Sequence, residues 1–367
     1  MIIPLSSPDL SNRETELVLN VLRGPALSMG PMVQQFERMV AEFVGARYAV
    51  AVNSGTSALH LAVRALNIGK GDEVITTPFS FVASSNCLLF EQAVPVFVDI
   101  DPMTLNINPG LIENYITKRT KAILPVHVFG HPADMKKILK ISQIYNLPVI
   151  EDACEALGAC CHGRMAGSES DISVFAFYPN KQITTGEGGM VLTGSENIAG
   201  LCRSMRNQGR DPGGVWLEHQ RLGYNYRMSE LNAALGVAQM ERISELLDKR
   251  RAVASAYGAR LSRLPGVKIP YVAPDVKMSW FVYVIRLSPE INRNRVMYSL
   301  QERGIDCRPY FTPIHLQPFY RKKFGYHEGD YPVCEREAAS TLALPFFSNL
   351  TLSQIDHIVE ELAYVLK

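Results

Sequence analysis

The sequence carries almost no net charge: 37 lysines and arginines stand against 36 aspartates and glutamates, a formal balance of +1. A chain so nearly neutral has no electrostatic reason to bind nucleic acid nonspecifically, although local basic clusters for a small anion stay open. No uninterrupted apolar run approaches the roughly 20 residues a membrane helix needs, so no membrane partner is expected. The opening stretch MIIPLSSPDLSNRETE lacks a basic segment followed by a long apolar one and does not read as a secretory leader. The seven cysteines, Cys87, Cys154, Cys160, Cys161, Cys202, Cys307 and Cys334, are odd in number and show no CxxC spacing, which fits a reducing cytoplasm. Cys160 and Cys161 are read as small, half-buried thiols and not as a redox pair. His127 and His131 have a gap that suits a metal on a helix, but AILPVHV before them reads as a strand and Gly130 breaks the geometry, so no metal is expected. Internal repeats, low-complexity segments and long flexible linkers are also missing.

What remains is the composition of a soluble globular chain: 367 residues, 47% hydrophobic and 20% charged, long enough for two domains of unequal size. Short β-branched runs recur at 48–52, 73–77, 94–100, 121–128, 148–152, 172–177 and 189–194. Amphipathic stretches lie between several of them, such as SALHLAVRALNI and ADMKKILKISQIYN. This is an α/β pattern with a mostly parallel sheet, in which ligands collect at the carboxyl ends of strands. From about residue 240 the texture changes to a long charged helix, a strand-like WFVYVIRL and a final helix from about 351. The expected division is a large domain over 1–245 and a smaller α+β domain over 246–367.

The most informative stretch is FAFYPNKQITTGEGGM, residues 175–190, where Lys181 follows an apolar run and precedes a glycine-rich turn. A lysine there is either a solvated turn residue or an amine held in a partly dry pocket, where burial favours its neutral, nucleophilic form. After the YAVAV strand, Ser54, Gly55, Thr56 and Ser57 open a helix; the turn is either a plain N-cap or a seat for a phosphate on free backbone N–H groups and hydroxyls. The strand PVIED ends on Asp152, either a helix cap or a carboxylate that pairs with a protonated ring nitrogen. In TTPFSFVASSN, Phe81 either lies flat on a ring or is ordinary core with Phe79.

Phosphate turn, carboxylate, aromatic and lysine occur together in one α/β unit. With GPALSMGPMVQQFE, GDEVITTPFSFVASSN, PVFVDID, VIEDACEALGA, NKQITTGEGGM, GYNYRMSELNAALG and PIHLQPFY, the chain resembles the DegT/DnrJ/EryC1/StrS family of sugar aminotransferases over nearly its whole length. The resemblance implies a fold-type-I, aspartate-aminotransferase-like architecture and the cofactor pyridoxal 5'-phosphate. It makes Lys181 the Schiff-base lysine that also moves the proton, Asp152 the partner of the pyridine nitrogen and Phe81 the stacking ring. Thr56 and Ser57, with the backbone around Gly55, hold the phosphate. Asn225, in GYNYRMS, implies a contact to the cofactor phosphate of a second subunit, hence a homodimer with shared active sites. The helix ELNAALGVAQM that follows, with Leu231, Leu235 and Val237, offers more apolar surface than a solvent-facing helix should and points the same way.

Two positions depart from the family pattern. Ala176 stands where a serine often adds a phosphate contact, and Glu155 stands where glutamine often lies beside the cofactor's 3-hydroxyl. An ionised glutamate can only accept, so Glu155 either takes that hydroxyl's hydrogen bond or is itself protonated. A lysine at 181, and not the histidine associated with sugar dehydratases, implies transamination. The TTGEGG turn resembles the subgroup acting at carbon 4, whereas the carbon-3 subgroup usually has a YGDGG-like turn. The expected reaction moves an amino group from an amino acid, with glutamate first choice, to a nucleotide-linked 4-keto-6-deoxy sugar for a polysaccharide or glycan. A carbon-3 keto sugar or an aminocyclitol is the alternative substrate, and a non-catalytic regulator or scaffold the alternative class. Candidate contacts to the nucleotide sugar are Arg308, Tyr310, His315 and Gln317 in CRPYFTPIHLQPFY.

Overall fold

In the computed structural model, which describes residues 2–211 and 213–367, the β-branched runs become seven strands. They are β1 Tyr48–Val52, β2 Glu73–Thr76, β3 Val94–Phe97, β4 Thr120–Leu124, β5 Ile150–Asp152, β6 Ile172–Ala176 and β7 Gly189–Thr193. The side chains of β1, β6 and β7 alternate between two apolar layers: Val50, Val52, Val174 and Val191 face one, Ala49, Ala51, Phe175, Met190 and Leu192 the other. Burial on both faces is why these strands read as continuous hydrophobic runs and not as polar–apolar alternation.

The strands lie in the order β3-β2-β4-β5-β6-β7-β1, with single parallel bridges Ile123↔Val149 and Val126↔Asp152 joining β4 to β5. The pairs β2–β3, β2–β4 and β5–β6 are parallel, while β7 is antiparallel to both β6 and β1. A parallel return needs a crossover, usually a helix. Residues 177–188 hold no helix, and the chain turns back instead. The reversal sets the amino end of β7 beside the carboxyl ends of its neighbours, through Ala176↔Gly189 and Val52↔Gly189. Both ends of the Lys181 loop therefore sit on the same sheet edge as Asp152 and the Ser54 turn.

Helix Gly55–Ala65 covers one face of the sheet, and helices Pro31–Val44 and Glu230–Glu241 cover the other. Phe36 is fully buried there, edge-on to Phe177 at 4.9 Å between centroids. The long charged segment is broken at Arg242, after which helix Ile243–Leu261 leads to a three-stranded antiparallel sheet of Val267–Lys268, Tyr283–Leu287 and Thr341–Leu344. That sheet and helix Leu352–Val365 enclose Tyr257, Ile285, Leu300, Leu342 and Ile358, together with Ile3 from the other end of the chain. No helix among the described residues is long and apolar enough to cross a membrane. All seven cysteines are free.

One expectation about helix Glu230–Glu241 needs correction. Read as a helix showing apolar surface through Leu231, Leu235 and Val237, it instead buries Val237 with Phe36 and Met190, because helices Asn12–Arg23 and Pro31–Val44 pack across it; Leu231 and Leu235 are half-buried. Its first residue, Glu230, is buried and accepts the backbone N–H groups of Gly30, Met32 and Val33 at 2.9, 2.8 and 3.1 Å. One carboxylate thus satisfies the open amino end of helix Pro31–Val44, where the helix dipole favours a negative charge. Replacing Glu230 by alanine strands three N–H groups and should cost about 3 kcal/mol or more. Urea unfolding of parent and variant measures it; a loss below about 1 kcal/mol would show that water replaces the carboxylate cheaply.

Candidate active site

The loop from β6 to β7 is shaped by its own hydroxyls. Phe177 N–H donates to Gly188 O at 2.9 Å and Thr185 N–H to Phe177 O at 2.9 Å, which closes the loop at its base. Thr184 Oγ1 donates to Phe177 O and accepts from Gly186 N–H, while Thr185 Oγ1 donates to Glu187 O. Where β7 begins, Gly189 passes the helix start so closely that a Cβ would come within 2.3 Å of Ser54 O.

The closed loop puts Lys181 on the wall of a cavity of about 430 Å³, also lined by Gly55, Thr56, Phe81, Asp152, Glu155 and Tyr310. The lysine side chain is only 13% exposed, with Nζ 3.8 Å from the Phe281 ring centroid and 3.8 Å from Glu155 Oε1. Lys181 is therefore a largely buried side chain and not a solvated turn residue.

Asp152 is buried; Oδ2 accepts from Ser84 Oγ at 2.7 Å and Oδ1 from Cys154 N–H at 3.1 Å. The helix that the capping alternative called for does not form: residues 153–158 run in turns, so the carboxylate caps a turn while facing the cavity. Ser54 caps helix Gly55–Ala65, its Oγ accepting Ser57 N–H at 3.1 Å and its carbonyl Ala58 N–H. The first-turn N–H groups of Gly55 and Thr56 thereby lack an acceptor within the helix, which is the arrangement an anion uses. Gly55 is required there, since a Cβ would meet Ala176 Cβ at 2.6 Å.

Glu155 is buried beside the lysine, with Oε2 accepting Phe129 N–H at 2.8 Å. Burial pushes its carboxyl up from an ordinary 4.5 to about 7 and Asp152 adds to the rise, against the pull of Lys181 and the Phe129 N–H.

The remaining expected residues divide. Tyr310 lines the cavity, and Gln317 lines a groove that adjoins it through Ser80, Phe81 and Phe311. Phe81 is exposed and shared by both hollows. Ser57 is buried with its hydroxyl 2.9 Å from Ser54 Oγ, outside the cavity wall. Arg308 pairs with Asp306 at 2.5 Å, outside both linings. His315 departs from the expectation: it is fully buried, bonded to Glu335 at 2.9 Å and set edge-on to Tyr331, and it lines neither hollow. Asn225 is exposed and absent from its own chain's cavity. His127 spends both ring nitrogens inside the protein, one against Glu151 Oε2 and the other accepting Ala133 N–H. Sequence reasoning missed Ser84, which lies three residues after Phe81 in the same motif, and Phe281, whose signal was only its place in an apolar run.

The family model described as the DegT/DnrJ/EryC1/StrS aminotransferase family matches residues 8–363. The chain is 39% identical over 369 residues to the GDP-perosamine synthase of Caulobacter vibrioides, covering 99% of this chain and 98% of the relative. It is 38% identical over 378 residues to the spore coat polysaccharide biosynthesis protein SpsC of Bacillus subtilis, covering 100% and 97%. The solved structure of Helicobacter pylori PseC, an aminotransferase involved in the biosynthesis of pseudoaminic acid, superposes with a TM-score of 0.95 at 29% identity, covering 100% of this chain and 99% of that one.

The raised Glu155 carboxyl has a signed consequence. Between about pH 4.5 and 7 the folded protein keeps a proton that the unfolded chain has released, so this group lowers stability as pH rises through that window. In cofactor-free protein, Glu155→Gln should therefore melt above the parent near pH 8, and the gap should close as pH falls toward 4.5. A gap that instead widens on acidification would mean the carboxylate is held ionised.

Proposed function

Since the chain belongs to the DegT/DnrJ/EryC1/StrS family and is thereby a pyridoxal-phosphate-dependent sugar aminotransferase, we propose that it aminates carbon 4 of a nucleotide-linked 4-keto-6-deoxy sugar, taking nitrogen from an amino acid, with glutamate first choice. The observation that carries the reading is one half-dry cavity bringing together a buried carboxylate, a helix amino end without internal acceptors and a sequestered lysine. The carbon-4 assignment rests on the TTGEGG turn, and two relatives named GDP-perosamine synthase and a spore coat polysaccharide biosynthesis protein support an activated sugar in polysaccharide assembly.

The cavity fits pyridoxal 5'-phosphate on its own chemistry. The first-turn N–H groups of Gly55 and Thr56 stand on the cavity wall without an acceptor inside the helix, and Asp152 offers a carboxylate to a basic ring nitrogen. When bound, the cofactor supplies an aldehyde for the amine and an electron sink for carbon–hydrogen bond cleavage. The protein's own groups would do the rest. The first-turn N–H groups of Gly55 and Thr56 would bind the phosphate, with the Thr56 hydroxyl as a further donor. Asp152, oriented by Ser84, would keep the ring nitrogen protonated. Glu155, its carboxyl raised to about 7 by burial, would in its protonated form donate to a ring oxygen where an ionised acid could only accept. Lys181 would hold and return the proton at Nζ, over a ring that excludes water from one side. The exposed Asn225 would serve the site of a second copy, so we place two chains around two shared sites.

Lys181→Ala removes the amine and should lower turnover by several orders of magnitude in a glutamate-dependent assay over UDP-, GDP- and dTDP-linked keto sugars. Turnover within about tenfold of the parent would defeat the assignment. Asp152→Asn keeps shape and loses charge, so single-turnover rates should fall at least about a hundredfold while the cofactor still binds. Matched rates would make Asp152 a turn cap only.

Shared sites make a separate prediction. Mixing Lys181→Ala with Asn225→Asp subunits, after subunit exchange has been verified, should give heterodimers with both lesions in one site and the other intact, and activity above either parent variant. Verified heterodimers without rescue, beside a strongly impaired Asn225→Asp homodimer, would assign Asn225 to its own subunit's site.

A further inference from the structure

Arg250 lies midway along helix Ile243–Leu261, 3% exposed, and its guanidinium is devoted to main-chain carbonyls. One Nη donates to Trp280 O and Phe281 O at 3.2 and 3.3 Å, the other to Asn180 O and Lys181 O at 3.4 and 2.7 Å. Among the described residues no carboxylate forms an ion pair with it, and Nε has no partner. Burial pulls the guanidinium down to about 10, which still leaves it charged at neutral pH. A buried cation without an ion-pair partner, set against carbonyl dipoles and the Phe346 ring 5.6 Å from its Cζ, is an expensive way to stabilise a fold, because well-packed apolar residues of similar volume often serve as well or better.

The four carbonyls belong to two segments, Asn180–Lys181 and Trp280–Phe281, that meet again elsewhere. Lys181 and Phe281 are joined at the backbone through Arg250, and at their side-chain ends Lys181 Nζ sits 3.8 Å from the Phe281 ring centroid. We propose that Arg250 is a positioning residue: by clamping the Lys181 peptide to the Phe281 peptide it holds the reactive amine over that ring and aimed into the cavity. The proposal rests on Lys181 being the reactive amine. Its chemistry is geometric, since an amine displaced by about 1 Å can lose about a hundredfold in rate with substrate binding little changed. A lysine at 250 would keep the charge but lacks the fork that reaches both peptides.

The test compares holoenzymes of the parent, Arg250→Lys and Arg293→Lys. Arg293 is a fair control, being a half-buried guanidinium that also donates to carbonyls, those of Ala338 and Thr341, away from the cavity. Arg250→Lys should lower kcat at least about tenfold with KM for the amino donor within about threefold, and should shift the pH midpoint of the bound cofactor's visible absorbance by about half a unit or more. Arg293→Lys should do neither, even where it lowers the melting temperature as much. An Arg250→Lys enzyme with kcat within about twofold and an unmoved midpoint would overturn the proposal, as would equal losses in the control. If Arg250→Lys does not fold, Phe281→Leu takes its place: removal of the ring should shift both kcat and the midpoint, and no change in either overturns the proposal. A dead Lys181→Ala beside an unaffected Arg250→Lys locates the failure in Arg250. A live Lys181→Ala locates it in the reading of the lysine.

Discussion

The sheet edge that carries the site depends on backbones passing closer than a methyl group allows. Gly189 opens the one reversed strand against Ser54 O, and Gly55 lies against Ala176 at the end of the strand beside it. Three strand ends and a helix start are thereby drawn into one corner, and the helix amino end, the buried carboxylate and the lysine share a cavity, the lysine on a loop that its own hydrogen bonds close at the base. Rigid elements hold such groups more accurately than mobile segments do. Close approach therefore supplies what the later chemistry needs, a fixed spacing between an anion seat and an amine.

Charge is the second constraint at that corner. Two carboxyl groups, Asp152 and Glu155, and one amine occupy a half-dry space. Asp152 is given two donors, the Ser84 hydroxyl and the Cys154 N–H, whereas Glu155 has the Phe129 N–H alone and a lysine 3.8 Å away. The Glu155 carboxyl rises to about 7, first because it is buried, and the lysine and the Phe129 N–H offset that only in part. A carboxyl raised that far can, when protonated, donate a hydrogen bond as a glutamine amide does.

Much of this was legible in the sequence because it is local. Strand runs, the S-G-T-S turn, Asp152 at a strand end and Lys181 before a glycine turn each sit within a few residues, and the structure gathers them. The direction of β7 was not legible, since alternation records which face a residue takes and nothing of which way its strand runs. Val237 and His315 misled for a related reason. An apolar helical stripe says that something covers it without saying what, and here the cover is the chain's own helices. A histidine in a Pro-rich segment suggests a loop contact, yet Glu335 and Tyr331, distant in sequence or on another turn, bury it. Glu230 and Arg250 escaped notice because their partners are backbone atoms, about 200 residues away for Glu230 and 70 or fewer for Arg250.

Those backbone contacts also decide which parts of the cavity can vary. Helix Ile243–Leu261 is tied near its start to Asp9, through Arg242 at 3.0 Å and Lys249 at 2.8 Å, and at its middle to both walls of the cavity through Arg250. Gln239 on the preceding helix adds Asp9 O and Glu14 to the same knot. A connector fixed at these points cannot rock freely, so the wall bearing Phe281 is set before any ligand arrives. The outer groove that adjoins the cavity exposes Phe81 and Phe319, and Gln317 on its wall offers an amide that both donates and accepts. The inner cavity is thus walled by groups tied to backbone at several points, whereas the groove beside it is bounded by side chains with fewer such ties.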